Sequence, residues 1–210
     1  MSWHVPEGFL LRASGWMSVL GPRAPLGPGL RVGRRATVTC VTMQKPTAEP
    51  TGVPLDPYAA SLARKWMAAG ALIRDAAGAV LLVDPVYKPQ WEVPGGAVDA
   101  GESPLAACRR EVAEELGLDR PVGRVLTVDW IPARPGWPDG LILLYDGGVL
   151  TPEQISAIRL PADELAEWAF VAPDQVPRWV PAPLGRQVAA GLRASADGTV
   201  AHLEDGYPAS

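Results

Sequence analysis

The chain has 210 residues, 48% of them hydrophobic, and a formal net charge of −4. This length fits one domain with a sizeable core, and the negative charge balance argues against broad nucleic-acid binding, so we expect no nucleic-acid partner. No apolar run approaches the ~20 residues that span a bilayer, and two cysteines are too few for a disulfide framework, so we expect no membrane partner and a cytoplasmic location.

Residues 1–50 differ in composition from the rest of the chain. They hold six glycines, six prolines and six lysines or arginines against two glutamates. Gly and Pro at this density break helices and strands, and a basic stretch of this kind is typical of a solvated tail. We therefore expect a flexible, basic Pro/Gly-rich extension over residues 1–50 and a folded domain over residues 51–210. A translation start at Met43 is left open as an alternative.

The first predicted elements are a helix and a β-hairpin. Asp56 and Pro57 match an N-cap and a first helical position, and the helix is expected to run to about Lys65. The apolar runs 69–74 and 79–83 flank a turn signal at residues 75–78, which predicts a hairpin. Because the second run is apolar at every position, we expect a central strand that is buried on both faces.

The next predicted segment is a short strand followed by a capped helix. A strand at residues 91–93 leads into two adjacent glycines, which allow a tight turn and a close approach to a ligand. Ser103 is the predicted N-cap, Pro104 the first helical residue and Gly117 the residue just past the end. At ~100° per residue, one apolar stripe forms the core face, with the members Leu105, Cys108, Val112 and Leu116.

Three carboxylates of this helix fall on one side, next to the apolar stripe. Glu111 and Glu115 are one turn apart and Glu114 lies beside them. Arg110 is spaced to reach Glu114 at i, i+4. Such a cluster repels itself, and a protein can use it by binding a divalent cation. Oxygen-only ligands favour Mg²⁺ or Mn²⁺ over Zn²⁺, and Mg²⁺ binds substrate phosphates, which suits hydrolysis of a phosphoanhydride.

The remaining chain predicts further strands and helices without regular alternation. We expect strands at residues 122–130, 141–145, 157–160, 168–171 and 200–204. The Asp146-Gly147-Gly148 run is expected to end its strand. A single helical turn is predicted at residues 173–179 and a helix at residues 183–194. This mixture predicts an α/β fold of the α+β kind rather than a doubly wound sheet.

The helix and the residues before it carry a known motif. Its pattern is G-x5-E-x7-R-E-U-x-E-E-x-G-U, where U is aliphatic, and the matching residues are Gly96, Glu102, Arg110, Glu111, Val112, Glu114, Glu115, Gly117 and Leu118. This is similar to the complete Nudix box, so the chain resembles the Nudix hydrolases. The resemblance implies a three-layer α/β/α sandwich with a mixed β-sheet, and hydrolysis of a nucleoside diphosphate linked to another moiety. It extends loosely over residues 57–205.

The resemblance also implies roles for individual residues. Glu111 and Glu115 resemble the main metal ligands, and Glu114 resembles a further ligand or the catalytic base. Gly96 resembles the residue whose carbonyl touches the metal. Arg110 resembles the arginine that orients the glutamates and contributes to substrate binding, and Glu102 resembles the loop glutamate that supports the metal shell.

Substrate selection is expected from residues outside the box. Trp137 and Trp91 are the candidates for stacking a base, with Trp137 favoured because its Pro/Gly-rich neighbours indicate exposure. An additional base or ligand is expected from a distant loop, and the candidates are Glu153, Asp163, Glu164 and Glu167.

Two functions are compatible with the sequence. The first is a Mg²⁺- or Mn²⁺-dependent pyrophosphohydrolase of a small-molecule nucleotide, with ADP-ribose, a nucleoside diphosphate sugar or a nucleoside triphosphate as the substrate. The second is a Nudix-fold module that senses a nucleotide without turnover. Because all the box glutamates are present, the enzyme is favoured. A homodimer is left open.

Overall fold

The computed structural model of the protein describes residues 56–209, so the extension expected over residues 1–50 lies outside the described part of the chain. The helices in residues 56–209 are α1 (Pro57–Ser61), α2 (Pro104–Leu116), α3 (Pro152–Ala157) and α4 (Ala182–Asp197), with a 3₁₀ turn at Val176–Arg178. The strands are β1 (Trp66–Arg74), β2 (Val80–Pro85), β3 (Gly95–Ala97), β4 (Val125–Ile131), β5 (Gly140–Val149), β6 (Leu165–Val171), β7 (Ala201–Glu204) and β8 (Tyr207–Pro208).

The strands form one mixed sheet in the order β6-β2-β1-β5-β4-β7-β8, and β3 pairs with β1 off this path. β1 runs parallel to β5 over its whole length and antiparallel to β3, while β4 runs antiparallel to β5 and parallel to β7. β2 is buried at every position between β1 and β6, which confirms the prediction of a central strand buried on both faces. The mixed sheet confirms the predicted fold class.

Helices cover both faces of this sheet. Alternate residues of β1 separate two apolar clusters: Ala69, Ala71 and Ile73 pack with α2, and Ala68 and Leu72 pack with α4. This division follows from the two-residue period of a strand, which places successive side chains on opposite faces. The architecture is therefore the expected three-layer α/β/α sandwich.

The local signals around α2 were read correctly. The Ser103 hydroxyl accepts a hydrogen bond from Ala106 N at 3.2 Å, Pro104 opens the helix, and Gly117 ends it in the left-handed conformation at φ 67°. Cys108, Val112 and Leu116 are buried in the α2 cluster and Leu105 packs against it. Burial raises the pKa of the Cys108 thiol to about 12, as expected for a packing residue.

Four local predictions were wrong. α1 ends at Ser61 rather than near Lys65, because Leu62 already has an extended backbone. Residues 91–93 make only an isolated bridge, from Glu92 to Val83, and the strand is β3 at Gly95–Ala97. Residues 157–160 contain no strand: a Thr151–Gln154 capping box starts α3 at Pro152, the helix ends at Ala157, and Ile158 is its C-cap.

The fourth error concerns the end of β5. The Asp146-Gly147-Gly148 run does not stop this strand, which continues to Val149. The register against β1 shifts at this point, and Gly147 lies so close to β1 that an added Cβ would be 2.4 Å from Ile73 Cγ1. The glycines therefore form a bulge inside the ladder rather than a turn. In residues 56–209, no helix has the length and apolar character needed to cross a membrane.

The contact between β3 and β1 predicts a large cost for a side chain at residue 95. Gly95 has φ 151°, and an added Cβ would lie 2.4 Å from Gly70 Cα and 2.5 Å from Ala69 O. We expect Gly95→Ala to lower the free energy of unfolding by about 3 kcal/mol or more, because backbone strain and overpacking add. Urea unfolding measures this loss.

The matched control is Gly101→Ala. Gly101 also has a positive φ, 79°, but nothing lies within 4 Å of an added Cβ. This variant should therefore lose only about 1 kcal/mol, from the strain alone. Equal losses of unfolding free energy in the two variants would show that the close approach of β3 to β1 adds no cost to a side chain at residue 95.

Candidate active site

The three carboxylates of α2 differ strongly in their environments. Glu111 and Glu115 are 4% and 3% exposed, while the Glu114 side chain is 37% exposed. Glu111 and Glu115 are one helical turn apart, so both face β3 and the sheet. Burying two carboxylates on one helix is costly unless each is hydrogen-bonded or paired.

Glu115 is held by the backbone of β3. Its Oε2 accepts a hydrogen bond from Gly95 N at 2.9 Å. The two adjacent glycines make this approach possible: besides the contact of Gly95 with β1, an added Cβ at Gly96 would lie 2.7 Å from Glu111 Oε1. The Gly95-Gly96 pair thus lets β3 fit between β1 and the carboxylates of α2.

The two glycines differ in which side of β3 their backbone groups face. Ala71 N donates to Pro94 O and Val98 N donates to Met67 O, and Gly96, opposite Ala69, is two residues from each of these pairs. In an antiparallel ladder, the backbone N–H and C=O of every second residue point to the partner strand. The N–H and C=O of Gly96 therefore point to β1, and those of Gly95 point away from it. The Gly96 carbonyl as a metal contact stays a prediction, and Gly95 is the better-placed backbone group.

Arg110 ties the loop before α2 to the helix. Its Nε and Nη2 donate to the two oxygens of Glu102, both at 2.9 Å, and Nη2 also donates to Ala97 O at 3.1 Å. Nη1 lies 2.6 Å from Glu111 Oε1 and 3.3 Å from Glu114 Oε2. The predicted i, i+4 contact to Glu114 exists, but it is the longest of these. The hydrogen bond to Glu102 is the largest cause that raises the pKa of Arg110, so this guanidinium stays charged.

Glu92 is a member of the site that sequence reasoning missed. It is 1% exposed, bridges to Val83, and forms an ion pair with Lys88. The signal available in the sequence is a charged residue between two apolar ones, Trp91 and Val93, which both prove to be buried. Because successive side chains of an extended segment alternate, a charge at this position lies on the opposite face from Trp91.

The pKa of Glu115 reflects its burial and the negative charges around it. Burial raises this pKa well above its ordinary value, and the charges of Glu92 and Glu111 raise it further. The hydrogen bond from Gly95 N opposes the shift, and Glu164 adds to it. The fold therefore brings Glu92, Glu111 and Glu115 together as a buried carboxylate group whose members repel one another.

One of the four candidates from the distant loop lies within electrostatic reach of this group. Glu164, in the turn just before β6, is the candidate whose charge raises the pKa of Glu115. Glu153 is exposed in the first turn of α3, where hydrogen bonds from its own backbone amide and Thr151 lower its pKa. The catalytic or metal-binding role of any of the four, including Asp163 and Glu167, stays a prediction.

The two tryptophans proposed for substrate binding lie in different settings. Trp137 is 41% exposed and makes an edge-to-face contact with Trp66, with 6.0 Å between ring centroids. Trp91 is 8% exposed and packs edge-to-face on Trp179 at 4.9 Å, within the apolar cluster on the α4 face. The structure thus gives Trp91 a packing environment and leaves Trp137 accessible for stacking.

The donor chemistry of the carboxylate group fits a hard divalent cation, because the buried side chains offer only oxygen and their mutual repulsion would be relieved by positive charge. They are not yet arranged as a complete ligand set. Among residues 56–209, no three Asp, Glu, His or Cys side chains meet closely enough to hold a metal ion. One oxygen of Glu111 lies on Arg110 instead, and one oxygen of Glu115 on Gly95 N.

Comparison with known proteins gives a domain match and partial relatives. The NUDIX domain model matches residues 64–191. The chain is 48% identical over 56 residues to "Putative 8-oxo-dGTP diphosphatase 2" of Mycobacterium tuberculosis, covering 24% of this chain and 38% of that protein. It is 29% identical over 139 residues to the RNA pyrophosphohydrolase of Erythrobacter litoralis, covering 57% of this chain and 83% of that protein. The match to the first relative thus spans less than half of its length.

Solved structures share the fold. The crystal structure of a UDP-X diphosphatase has a TM-score of 0.54 at 20% identity and covers 71% of this chain and 76% of its own. The MutT protein of Methanosarcina mazei Go1 has a TM-score of 0.53 at 23% identity and covers 66% of this chain and 99% of its own. Similarity at this level of identity supports the fold alone.

The contacts of Arg110 predict that lysine cannot replace it. A lysine ammonium cannot reproduce the planar contacts with both Glu102 oxygens and Glu111, so the loop before α2 should loosen. We expect Arg110→Lys to lower the free energy of unfolding by about 2 kcal/mol, measured by urea unfolding. Arg109→Lys, at the exposed neighbouring position, is the control and should change little. A similar small change at both positions would contradict this role of Arg110.

The raised pKa of Glu115 predicts that this carboxylate destabilises the metal-free protein. A carboxyl whose pKa is higher in the folded state than in the unfolded state binds more protons when folded. The free energy of unfolding therefore falls as the pH rises from the ordinary pKa of 4.5 through the raised pKa of the folded state. We therefore expect Glu115→Gln to raise the melting temperature in EDTA at pH 8 and to weaken its fall with pH. A lower melting temperature, with the same pH dependence as the wild type, would refute this.

Proposed function

Because the chain belongs to the Nudix family, as the domain match over residues 64–191 shows, we propose that it hydrolyses a phosphoanhydride bond in a nucleoside diphosphate linked to another moiety. The observation that carries this proposal is the burial of Glu115 beside Glu111 and Glu92. A helix with a purely structural role would expose these charges to water. Keeping them buried and close together costs stability, which is expected where charge serves a function.

We propose Mg²⁺ or Mn²⁺ as the cofactor, held by Glu111, Glu115 and Glu114 with a backbone group of the Gly95-Gly96 pair. When bound, such a cation screens phosphate charge and lowers the pKa of a coordinated water. The oxygen-only donors of the site favour these hard ions. Arg110 and Lys88 are the nearby cationic groups that the described structure pairs with Glu111 and Glu92.

In this proposal, Arg110 and Glu102 position the metal-binding glutamates and Glu114 accepts a proton. Arg110 orients Glu111 through the 2.6 Å contact and is itself anchored by Glu102, so both act as positioning residues. Glu114 is the most exposed of the three α2 carboxylates, which makes it the best placed to take a proton from an attacking water. A direct contact of Arg110 with substrate stays a prediction, because its observed contacts are to protein groups.

The substrate is proposed to be a nucleotide, with ADP-ribose, nucleoside diphosphate sugars and nucleoside triphosphates as the classes to examine. The name of one relative, a putative 8-oxo-dGTP diphosphatase, supports the nucleoside triphosphates among these classes. The name of another, an RNA pyrophosphohydrolase, points to a substrate outside them. The cytoplasmic location and the homodimer stay predictions from the sequence. The alternative function, a sensing module without turnover, is less favoured because such a module has no need for the buried carboxylate group.

The proposal predicts metal-dependent turnover that requires Glu115. The full chain with Mg²⁺ should release phosphate from at least one member of a nucleotide library when coupled to a phosphatase. Glu115→Gln should lose at least about a hundredfold in kcat/KM, the scale expected for removing a group that supports charge in the transition state. Glu204→Gln, an exposed carboxylate of β7, is the matched control and should retain activity.

A second readout separates catalysis from metal binding. Mg²⁺ should raise the melting temperature of the wild type and of Glu204→Gln, but less that of Glu115→Gln. A wild type that binds a nucleotide tightly yet turns over no more substrate than Glu115→Gln would favour the sensing module. A wild type with neither turnover nor stabilisation by Mg²⁺ would overturn the proposal.

A further inference from the structure

The sheet ends in two edge strands that differ in length and composition. β8, at one edge, has two residues and includes Pro208, which has no N–H to donate. β6, at the other edge, has seven residues and contains no proline, glycine or lysine. Short strands, prolines and lysines are features that prevent sheets from pairing edge to edge. β8 has this protection, and β6 lacks it.

A bulge limits the regular part of β6 to its second half. Glu167 is opposite Asp84 of β2 and Leu165 is opposite Pro85, so Ala166 is the extra residue. From Glu167 to Val171 the register against β2 is unbroken. The sequence of this part is Glu-Trp-Ala-Phe-Val, which has one charge and is rich in residues that favour strands. The composition of this regular part is therefore suited to pairing with a further strand.

The hydrogen bonds of β2 show which of its backbone groups point to β6. Val83 N donates to Glu92 O at 2.8 Å, and Glu92 N donates to Val83 O at 3.0 Å. Both backbone groups of Val83 therefore point away from β6. Because the backbone groups of successive residues alternate in direction, those of Leu82 point to β6.

The same alternation identifies the outward groups of β6. Ala169 is opposite Leu82, so its N–H and C=O bond to β2. The N–H and C=O of its neighbours Trp168 and Phe170 therefore point out of the sheet. Within residues 56–209, these outward groups have no backbone partner. An additional strand would satisfy them in register, whereas water satisfies them without fixing a structure.

The side chains of the same two residues form an aromatic strip on the α2 face. Trp168 is buried and Phe170 is half-buried in the α2 cluster. Their rings meet edge-to-face, with 5.8 Å between centroids and an interplanar angle of 82°. Ala169, between them, belongs to the cluster on the α4 face. The edge thus combines outward backbone groups with aromatic side chains, which stabilise cross-strand pairs.

We propose that β6 pairs antiparallel with β6 of a second copy of this chain, about a two-fold axis between the two Ala169 residues. In this register, Trp168 of each copy is opposite Phe170 of the other. Each of these pairs exchanges two hydrogen bonds, so all the outward groups of both residues are satisfied. The same surface of each copy faces the other, as a two-fold interface requires. The inference does not rest on the proposed function.

The distribution of charge favours a second copy as the partner strand. Glu167 is the one charged residue in the regular part of β6, and it is opposite Val171 of the other copy in the proposed register. An axis at Glu167 would instead set the two carboxylates opposite each other, which is repulsive. The strand is therefore complementary to itself in a register that keeps its charges apart.

Size and regularity favour the same axis. The Ala169 residues form the non-hydrogen-bonded pair at the axis, where the Cα atoms approach to about 4.5 Å and small side chains fit. An axis at Trp168 would place Phe170 opposite Ala166, where the bulge interrupts regular pairing. The axis at Ala169 thus avoids both the bulge and the repulsion between carboxylates.

The first test combines the oligomeric state with hydrogen exchange of the full chain. Sedimentation should give twice the mass of one chain at high concentration and the mass of one chain on dilution. The Trp168 and Phe170 amides exchange from the monomer, so their exchange should slow about tenfold when a tenth of the chains remain monomeric. The amides of Ala169 and Val171, which bond to β2, should exchange slowly at both concentrations.

The second test is cysteine cross-linking, which reports the register. Ala169→Cys places two thiols across the axis, and a Cα separation of about 4.5 Å is within the range of a disulfide. In a Cys40→Ser background, oxidised glutathione should convert most of this variant into a covalent dimer. Glu167→Cys is the matched control and should give little, because the residue opposite it is Val171.

The third test removes one outward N–H. Phe170→Pro loses this donor, and proline is compatible with an edge strand where the N–H points away from the sheet. Phe170→Val loses the ring but keeps the donor. We expect the dimer of Phe170→Pro to dissociate with a Kd at least about tenfold higher than that of Phe170→Val. If the proline variant fails to fold, exchange and cross-linking decide the outcome.

A monomer at every concentration would overturn the inference, whether the Trp168 and Phe170 amides exchange fast or are protected by other residues of their own chain. A dimer in which these two amides stay fast, or which cross-links through Glu167→Cys rather than Ala169→Cys, would overturn it as well. Phosphate release by a monomer would leave the proposed function intact and remove this inference. The cross-linked dimer without phosphate release would do the reverse.

Discussion

The burial of carboxylates between α2 and β3 is the constraint on which the rest of the structure depends. Glu111 and Glu115 must face the sheet because they share the helix with an apolar stripe that also faces it. The structure compensates their charge locally, with an amide of β3, the Arg110 guanidinium, and the ion pair of Lys88 with the nearby Glu92. The amide of β3 reaches Glu115 because the Gly95-Gly96 pair lets the β3 backbone come unusually close to β1 and α2.

The central position of β1 connects this constraint to the opposite face. One side of β1 packs under α2 and the other under α4, so the strand lies between the buried carboxylates and the Trp66–Trp137 pair. The box and the α4 face are therefore built from separate segments of the chain, and the fold alone does not determine what either face binds.

The parts of the fold that short-range sequence signals determine were predictable. Ser103, Pro104 and Gly117 bound α2 because capping is decided within a few residues, and the continuous apolar run of β2 indicated burial on both faces. The errors at residues 91–97 and 146–148 arose where pairing with β1 decided the outcome. The Asp146-Gly147-Gly148 run is a turn signal in isolation, but parallel pairing with β1 turns it into a bulge. The Pro/Gly-rich neighbours of Trp137 indicated its exposure, whereas the burial of Trp91 depends on its contact with Trp179, far along the chain.

The sequence by itself determined the family resemblance, the α/β/α class, and the identity and helical phase of the box carboxylates, because these depend on spacing along one chain segment. Only the tertiary structure decided which charges act together. Glu92 lies 23 positions before Glu115 and Glu164 lies 49 after it, and no local pattern links either one to α2. The same holds for Asp129, which meets Gly206 only after β4 and the C-terminal hairpin have paired. Burial and electrostatic coupling depend on distance in space, which spacing along the chain does not contain.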